Sequence, residues 1–168
     1  MEKIDRQIHR LNALVTDLLS FARPHTARNK VIDLPDIARA TVDQTSDEYT
    51  DLQVTIEGSG TAMADPNLVQ HVLLNLVQNA MQATDGKGRV LIRVAPGRIL
   101  VNDDGPGIPE GMRERIFDPF FTTRTQGTGL GLAISQRAAN AMGGQLTLDK
   151  GPLPGAAFLL QLGKGPQV

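Results

Sequence analysis

The stretch 101–132, VNDDGPGIPEGMRERIFDPFFTTRTQGTGLGL, decides how this chain reads. It holds two glycine-rich turns, 103–107 and 127–131, with a phenylalanine-rich segment between them. Glycine reaches positive φ without strain and lets a ligand approach the main chain closely. Two such turns around a flexible segment describe a ligand site with a lid. The rest of the chain reads as a scaffold for that site, plus one helix leading into it.

Upstream of the first turn, Val90, Ile92 and Val94 mark one strand and Ile99 and Val101 another, joined at Pro96-Gly97. The second strand runs directly into Asp103. Pro106 and Pro109 stiffen the turn, and 110–116 is expected as a short helix. Phe117, Phe120 and Phe121 then read either as a core plug under a loop or as anchors of a lid. Residues 127–132, GTGLGL, open an apolar helix over 130–141. Orphan N–H groups and the helix dipole favour an anion at such a start. The string is neither a dinucleotide G-x-G-x-x-G nor a P-loop, so alone it is a weak signal.

Further back, Asp65-Pro66 predicts an N-cap and first turn. The helix behind it runs to about Ala83, with Val69, Val72, Leu73, Leu76, Val77 and Ala80 as its buried stripe. Asn75 and Asn79 share one row at the edge of that stripe. Asparagine is a poor helix former, so the pair asks for a reason. Hydrogen bonds to neighbouring backbone are one; amide oxygens aimed at a ligand, a metal or its waters are the other. His71, one turn earlier, reads as a rim residue. Val31–Leu34 is expected as a short strand, 35–48 as a helix, Leu52–Glu57 as a half-buried strand and Thr61–Ala64 as extended. Gln145–Asp149 and Ala156–Leu162 form the last strand pair, and 163–168 is expected to fray. This irregular order of strands and helices favours an α/β two-layer sandwich with a mixed sheet and about three helices.

At the other end, Ile4, Ile8, Leu11, Val15, Leu18 and Ala22 recur at 4-3-4-3-4 spacing, a heptad seam. Arg23-Pro24 ends that helix. It is either a packing element or half of a dimerising hairpin. His9 and His25 read as solvated residues, and 24–30 as a linker.

Composition narrows the possibilities. The 168 residues suit one domain plus an appended element, and a 40% hydrophobic fraction supplies its core. A net charge of −1 gives no electrostatic case for nucleic acid or a membrane surface. Without cysteine there are no disulfides or thiolate metal sites. No apolar run approaches the ~18 residues of a membrane span, which suggests a cytoplasmic domain, with any membrane anchor in a longer parent protein.

Taken in order, these motifs resemble the catalytic ATP-binding domain of bacterial sensor histidine kinases, in the superfamily with gyrase, Hsp90 and MutL. Residues 75–80, NLVQNA, are similar to its asparagine box, 101–109 to its first glycine box, 116–123 (IFDPFFTT) to its phenylalanine box and 127–132 to its second glycine box. The leading segment, ending LLSFARP, resembles the family's second dimerisation helix. The implied fold is the Bergerat-type sandwich over 31–162, after a hairpin fragment at 1–23.

The resemblance also implies roles. Asp103 would accept from the adenine amine, and Asp104 would be solvated. Asn79 would bind the Mg²⁺ that bridges the ATP phosphates, with Asn75 assisting. Gly105 and Gly107 would admit the base and ribose. Gly127, Thr128, Gly129, Leu130 and Gly131 would line the phosphates. Phe117 and Phe120 would anchor the lid, with Thr122 and Thr123 beside the nucleotide. Arg124 stands where the family usually has lysine, a planar fork in place of a point charge. Gln82 stands where many relatives have a basic residue or tyrosine.

Hydrolytic relatives carry a glutamate base where this chain has Asn75, which cannot take up a proton. That favours phosphoryl transfer, which depends on positioning and charge neutralisation. The implied partners are the acceptor-histidine helix of its own kinase, in a homodimer of the full-length protein, and a response regulator receiver domain. No histidine here has the acceptor's context, so the fragment is expected not to phosphorylate itself. A nucleotide-sensing interaction module and an ATP-hydrolysing switch are the competing readings.

Overall fold

The computed structural model describes residues 8, 11, 12, 14–19, 22, 26–45, 51–124 and 127–166. His9, His25, the stop at Arg23–Pro24 and the end of the helix expected over 35–48 lie outside them. The chain forms β1 (Lys30–Asp33), α1 (Leu34–Thr45), β2 (Gln53–Gly58), β3 (Thr61–Ala64) and α2 (Pro66–Ala83). Then come β4 (Arg89–Ala95), β5 (Arg98–Asp103), a 3₁₀ turn (Glu110–Met112), α3 (Gly131–Ala141), β6 (Gln145–Asp149), β7 (Ala157–Gln161) and β8 (Gly163–Lys164).

Five strands form a mixed sheet in the order β2-β4-β5-β7-β6, in which only β2 and β4 pair in parallel. Alternation along its strands turns Val90, Ile92, Val94, Ile99, Val101, Leu146, Phe158 and Leu160 onto one face, in one core with the buried residues of α1, α2 and α3. The expected α/β two-layer sandwich is therefore present. A second, three-stranded sheet, β1-β3-β8, adds to it.

Helix α2 is the spine of the helical layer. Asp65 caps it, its Oδ1 accepting from the N–H groups of Asn67 at 3.0 Å and Leu68 at 3.4 Å. Its Oδ2 accepts from the Arg28 N–H at 2.8 Å, tying the incoming chain to the domain. Burial pushes the Asp65 carboxyl up, but these backbone donors, Arg28 foremost, outweigh it and hold the pKa below its ordinary value.

Three expectations change. Leu34 begins α1 and does not end β1. Only one 3₁₀ turn forms within 110–116, because Gly111 and the shortness of the segment work against a helix nucleus. The tail expected to fray supplies β8, in which Gly163 and Lys164 pair with Met63 and Ala62. That pairing covers a β3 edge that would otherwise present unpaired backbone groups.

The leading segment is helical at residues 8, 11, 12, 14–19 and 22. Ile8, Leu11, Val15 and Leu18 of the heptad seam are each about half exposed, while Leu14 and Asp17 on the other side are partly covered.

Candidate functional site

Asn75, Asn79 and Ala83 stand one turn apart on α2, a row about 12 Å long at helical rise. Each meets a different part of the glycine- and phenylalanine-rich stretch. At one end, the Asn75 Nδ2 donates to the Ser135 Oγ at 2.8 Å, and its amide lies against Gly131, where a Cβ would come 3.1 Å from Cγ. In the middle, the Asn79 carbonyl accepts from the Arg124 Nη2 at 3.3 Å, while Arg124 Nη1 donates to the Gln82 Oε1. The Asn79 side chain is half-buried and has no protein partner among the described residues. At the far end, a Cβ on Gly105 would sit 2.9 Å from the Ala83 carbonyl and 2.9 Å from the Asp103 Oδ1. One helix edge thus joins both glycine turns.

Asp103 ends β5 and is 3% exposed. Its Oδ1 accepts from the Gly105 N–H at 2.9 Å and the Ala156 N–H at 3.2 Å. Its backbone pairs with Ala156 and Gly155. Oδ2 has no protein donor among the described residues. Burial raises the Asp103 pKa; the two N–H donors and the Arg124 charge oppose the shift, and the Asp104 charge adds to it.

Asn102, which sequence reasoning passed over, holds this arrangement. It is fully buried, and its Nδ2 donates to the carbonyls of Asp103, Leu153 and Ala156 at 3.1, 3.3 and 2.9 Å. Its Oδ1 accepts from the Leu153 N–H at 2.7 Å. An asparagine inside an apolar strand was the available signal. Ser135, also missed, carried only a weak one, a serine in an apolar helix. A cavity of 590 Å³ opens beside this corner, between Ile108 and Arg113 on one side and Leu148–Gly151 and Leu153–Ala157 on the other.

Asp104 differs from expectation. It accepts from the Arg89 N–H at 2.8 Å and the Arg89 Nε at 3.1 Å, so it clamps the start of β4 and is not simply solvated. The Arg89 N–H is the chief cause of its lowered pKa.

The lid segment is held mainly by backbone and by two rings. Phe117 stacks edge-on against Phe158 at 6.3 Å, and Arg115 lies 4.5 Å over the Phe121 ring. Phe120, expected as an anchor, is 62% exposed, and Phe121 packs on the core in its place. The Phe120 backbone, at φ 66°, does the anchoring: its N–H donates to the Gly129 carbonyl at 2.9 Å. Gly129, at φ 71°, leaves no room for a Cβ, which would lie 2.5 Å from the Phe120 carbonyl carbon. The Thr122 Oγ1 accepts from the Arg124 N–H at 3.0 Å; Thr123 and Arg124 are exposed. Gly107 takes φ 74° in the first turn, and a Cβ on Gly127 would meet the Thr122 hydroxyl at 2.7 Å.

Leu130 is a fully buried core residue and opens α3 without a side-chain cap. This contrasts with α2, whose first N–H groups Asp65 satisfies. An uncapped, glycine-opened helix start leaves donors for an anion. The Thr128 hydroxyl accepts from the Leu130 N–H at 3.3 Å and donates to the Asp17 Oδ2 of the leading helix at 2.7 Å. His71 is exposed, as expected of a rim residue.

Among the described residues no three His, Cys, Asp or Glu side chains gather to hold a metal. A hard cation here would draw on the free Asn79 amide oxygen, ligand phosphates and water, a set that suits Mg²⁺ bound together with a nucleotide.

Comparison with known proteins places the chain in a family. Residues 64–166 match the family described as histidine kinase-, DNA gyrase B- and HSP90-like ATPase. The signal transduction histidine-protein kinase AtoS of Escherichia coli (strain K12) is 34% identical over 96% of this chain and 28% of its own length. Full-length ShkA, solved in complex with AMPPNP, is 30% identical with a TM-score of 0.73, over 94% of this chain and 37% of that one. Histidine kinase ThkA, solved in complex with response regulator protein TrrA, is 27% identical with a TM-score of 0.78, over 97% of this chain and 50% of that one. The chain thus spans well under two thirds of these relatives. It belongs to the histidine kinase-, DNA gyrase B- and HSP90-like ATPase family.

Proposed function

We propose that the chain is the ATP-binding catalytic part of a two-component sensor histidine kinase, holding Mg-ATP for γ-phosphoryl transfer to a histidine on a dimerisation helix. One observation carries this reading: the row Asn75–Asn79–Ala83, which links an uncapped helix start to a buried carboxylate with one oxygen unused. In the bound state Asp103 Oδ2 accepts from the exocyclic amine of adenine. Guanine would present a carbonyl to the same carboxylate and be rejected. Gly105 and Gly107 keep side chains away from the base.

At the other end the N–H groups opening α3, with Gly127, Thr128 and Gly129, face the phosphates. Arg124 moves from Gln82 and the Asn79 carbonyl onto phosphate oxygens, with Thr122 and Thr123 alongside. The Asn79 amide oxygen would hold Mg²⁺, which would supply charge to offset that of the triphosphate. Transfer forms a bond from an imidazole nitrogen to the γ-phosphorus and breaks the bond from that phosphorus to the β,γ-bridging oxygen, releasing ADP. Asn75 cannot serve as a base for water, and its Nδ2 is given to Ser135, which disfavours a hydrolytic switch.

The exposed seam of Ile8, Leu11, Val15 and Leu18 supports placing 1–23 in a dimerisation hairpin of a homodimeric parent, joined through 24–30 to the catalytic domain beginning at 31. The acceptor helix of the same kinase and a receiver domain are its proposed partners. The experiment is a titration of the chain with ATP and with GTP, each with and without Mg²⁺, repeated for Asp103→Asn. Tight, magnesium-dependent binding of ATP over GTP, lost in the variant, is expected. Equal binding of both nucleotides, or binding indifferent to the variant, overturns the proposal.

A further inference from the structure

Ser135 belongs to none of the glycine, asparagine or phenylalanine boxes, yet it is 1% exposed and polar. Gly131 and Ser135 lie one turn apart on the same face of α3. The Asn75 amide spans both, donating to the Ser135 Oγ at 2.8 Å and lying against Gly131 closely enough to exclude a Cβ. No other hydrogen-bond partner is present for the Asn75 side chain among the described residues. Gly131 opens the helix start assigned to the phosphates. Its lack of a side chain therefore has an internal cause as well as a ligand-facing one: it admits Asn75.

We propose that Ser135 is a positioning residue for the phosphate end of the nucleotide site, acting through Asn75. The inference rests on the nucleotide-binding function proposed above. Ser135 supplies the acceptor that fixes the amide plane of Asn75. With that plane fixed, α2 and the opening of α3 hold one separation, and the uncapped N–H groups beyond Gly131 face the same cleft edge as Asn79. Without the hydroxyl, the half-buried Nδ2 has nothing to donate to. The amide then turns toward water and pushes on Gly131, which has no space to give. A donor that must shift to reach water gives up its fixed geometry, and here the shift falls on the contact that sets the phosphate cradle. The base end is held separately by Asn102 and Ala156 and does not share these residues.

The test compares Mg-ATP with adenosine, which carries the base and no phosphate. Dissociation constants for both are measured on the wild type, Ser135→Ala, Asn75→Ala and the double variant, with thermal unfolding of each. Serine to alanine removes one oxygen from a helix interior, and alanine is the better helix former. We expect Ser135→Ala to weaken Mg-ATP about tenfold, a change of about 1.4 kcal/mol, and to leave adenosine within about twofold. The double variant should bind Mg-ATP no more weakly than Asn75→Ala, because the two residues act through one contact. Loss of both ligands in proportion, or of neither, or additive losses in the double variant, would show Ser135 to be ordinary packing. Should Ser135→Ala fail to fold, Ser135→Cys, which keeps a weak acceptor, is read against the same ratio. A wild type that binds adenosine but shows no gain from the triphosphate would instead sink the underlying function.

Discussion

Along the Asn75–Asn79–Ala83 row, the Asp103 end and the Arg124 side, which reaches the row at Asn79, are built differently. At the Asp103 end the Gly105 and Ala156 N–H groups donate to one carboxylate oxygen, Gly155 and Ala156 pair with the Asp103 backbone, Asn102 ties the neighbouring carbonyls, and the other oxygen has no donor among the described residues. On the Arg124 side, Arg124, Thr122 and Thr123 are exposed, and Arg124 rests on Gln82 and the Asn79 carbonyl of α2. The first end is preformed and pays its desolvation on folding. The second borrows protein partners that a triphosphate would replace. Under the proposed function, a site so divided would fix what it recognises before the ligand arrives and leave its charge neutralisation adjustable.

The largest expected effect breaks the preformed end from beneath. Asn102→Ala removes four hydrogen bonds from a fully buried position. It should cost about 3 kcal/mol of stability. At about 2–4 °C per kcal/mol for a chain of this size, thermal unfolding should fall by roughly 6–12 °C.

Asp103→Asn separates recognition from stability. Its amide oxygen can still accept from Gly105 and Ala156, so the fold should persist, while the acceptor for adenine is replaced by a donor. ATP affinity should drop about 100-fold, or about 2.7 kcal/mol. The sign of the stability change follows from burial. The folded pKa of Asp103 is raised, so its contribution is fully present below the ordinary carboxyl range and is lost as pH rises through the folded value. At neutral pH the variant should therefore melt above the wild type, with the gap closing as the solution is acidified. A gap that widens in acid would refute the account.

Arg124→Ala probes the adjustable end. With Gln82 and the Asn79 carbonyl released, the apo protein should melt within about 2 °C of the wild type, as for an exposed contact. Mg-ATP should bind about tenfold more weakly and adenosine unchanged. Arg124→Lys should recover part of the loss, since it keeps the charge but not the fork.

The same division explains what the sequence disclosed. The fold was legible where a residue type had one explanation, as Asp65 before Pro66; the role expected of Asp103 came from the family resemblance alone. Glycines were legible as positions needing space, but not as to who fills it. Gly131 admits Asn75, Gly129 admits the Phe120 backbone and Gly105 admits Ala83, contacts between separate elements with no trace in the local pattern. Phe120 and Phe121 stand side by side in the sequence with nothing local to say which ring faces solvent; in the fold Phe120 takes φ 66° and its ring is exposed. β8 was invisible because two residues, Gly163 and Lys164, have no period to read. Asn102 and Ser135 were hidden by apolar neighbours that dominated the pattern.

The smallest effect concerns the link between the leading helix and the adjustable end. Among the described residues, Asp17 meets the site through the Thr128 hydroxyl, which also accepts from Leu130. Asp17→Ala removes one partner of a half-buried hydroxyl that can turn its proton to water. Thr128→Val removes the acceptor of the Leu130 N–H, just before a helix that has no side-chain cap. Asp17→Ala should change Mg-ATP affinity by less than about threefold, and Thr128→Val by more, since an unsatisfied donor costs more than a resolvated one. Equal effects would mean that Thr128 serves the nucleotide through the leading helix. The expected inequality would mean that the helix reads the site through Thr128 while the site stands without it.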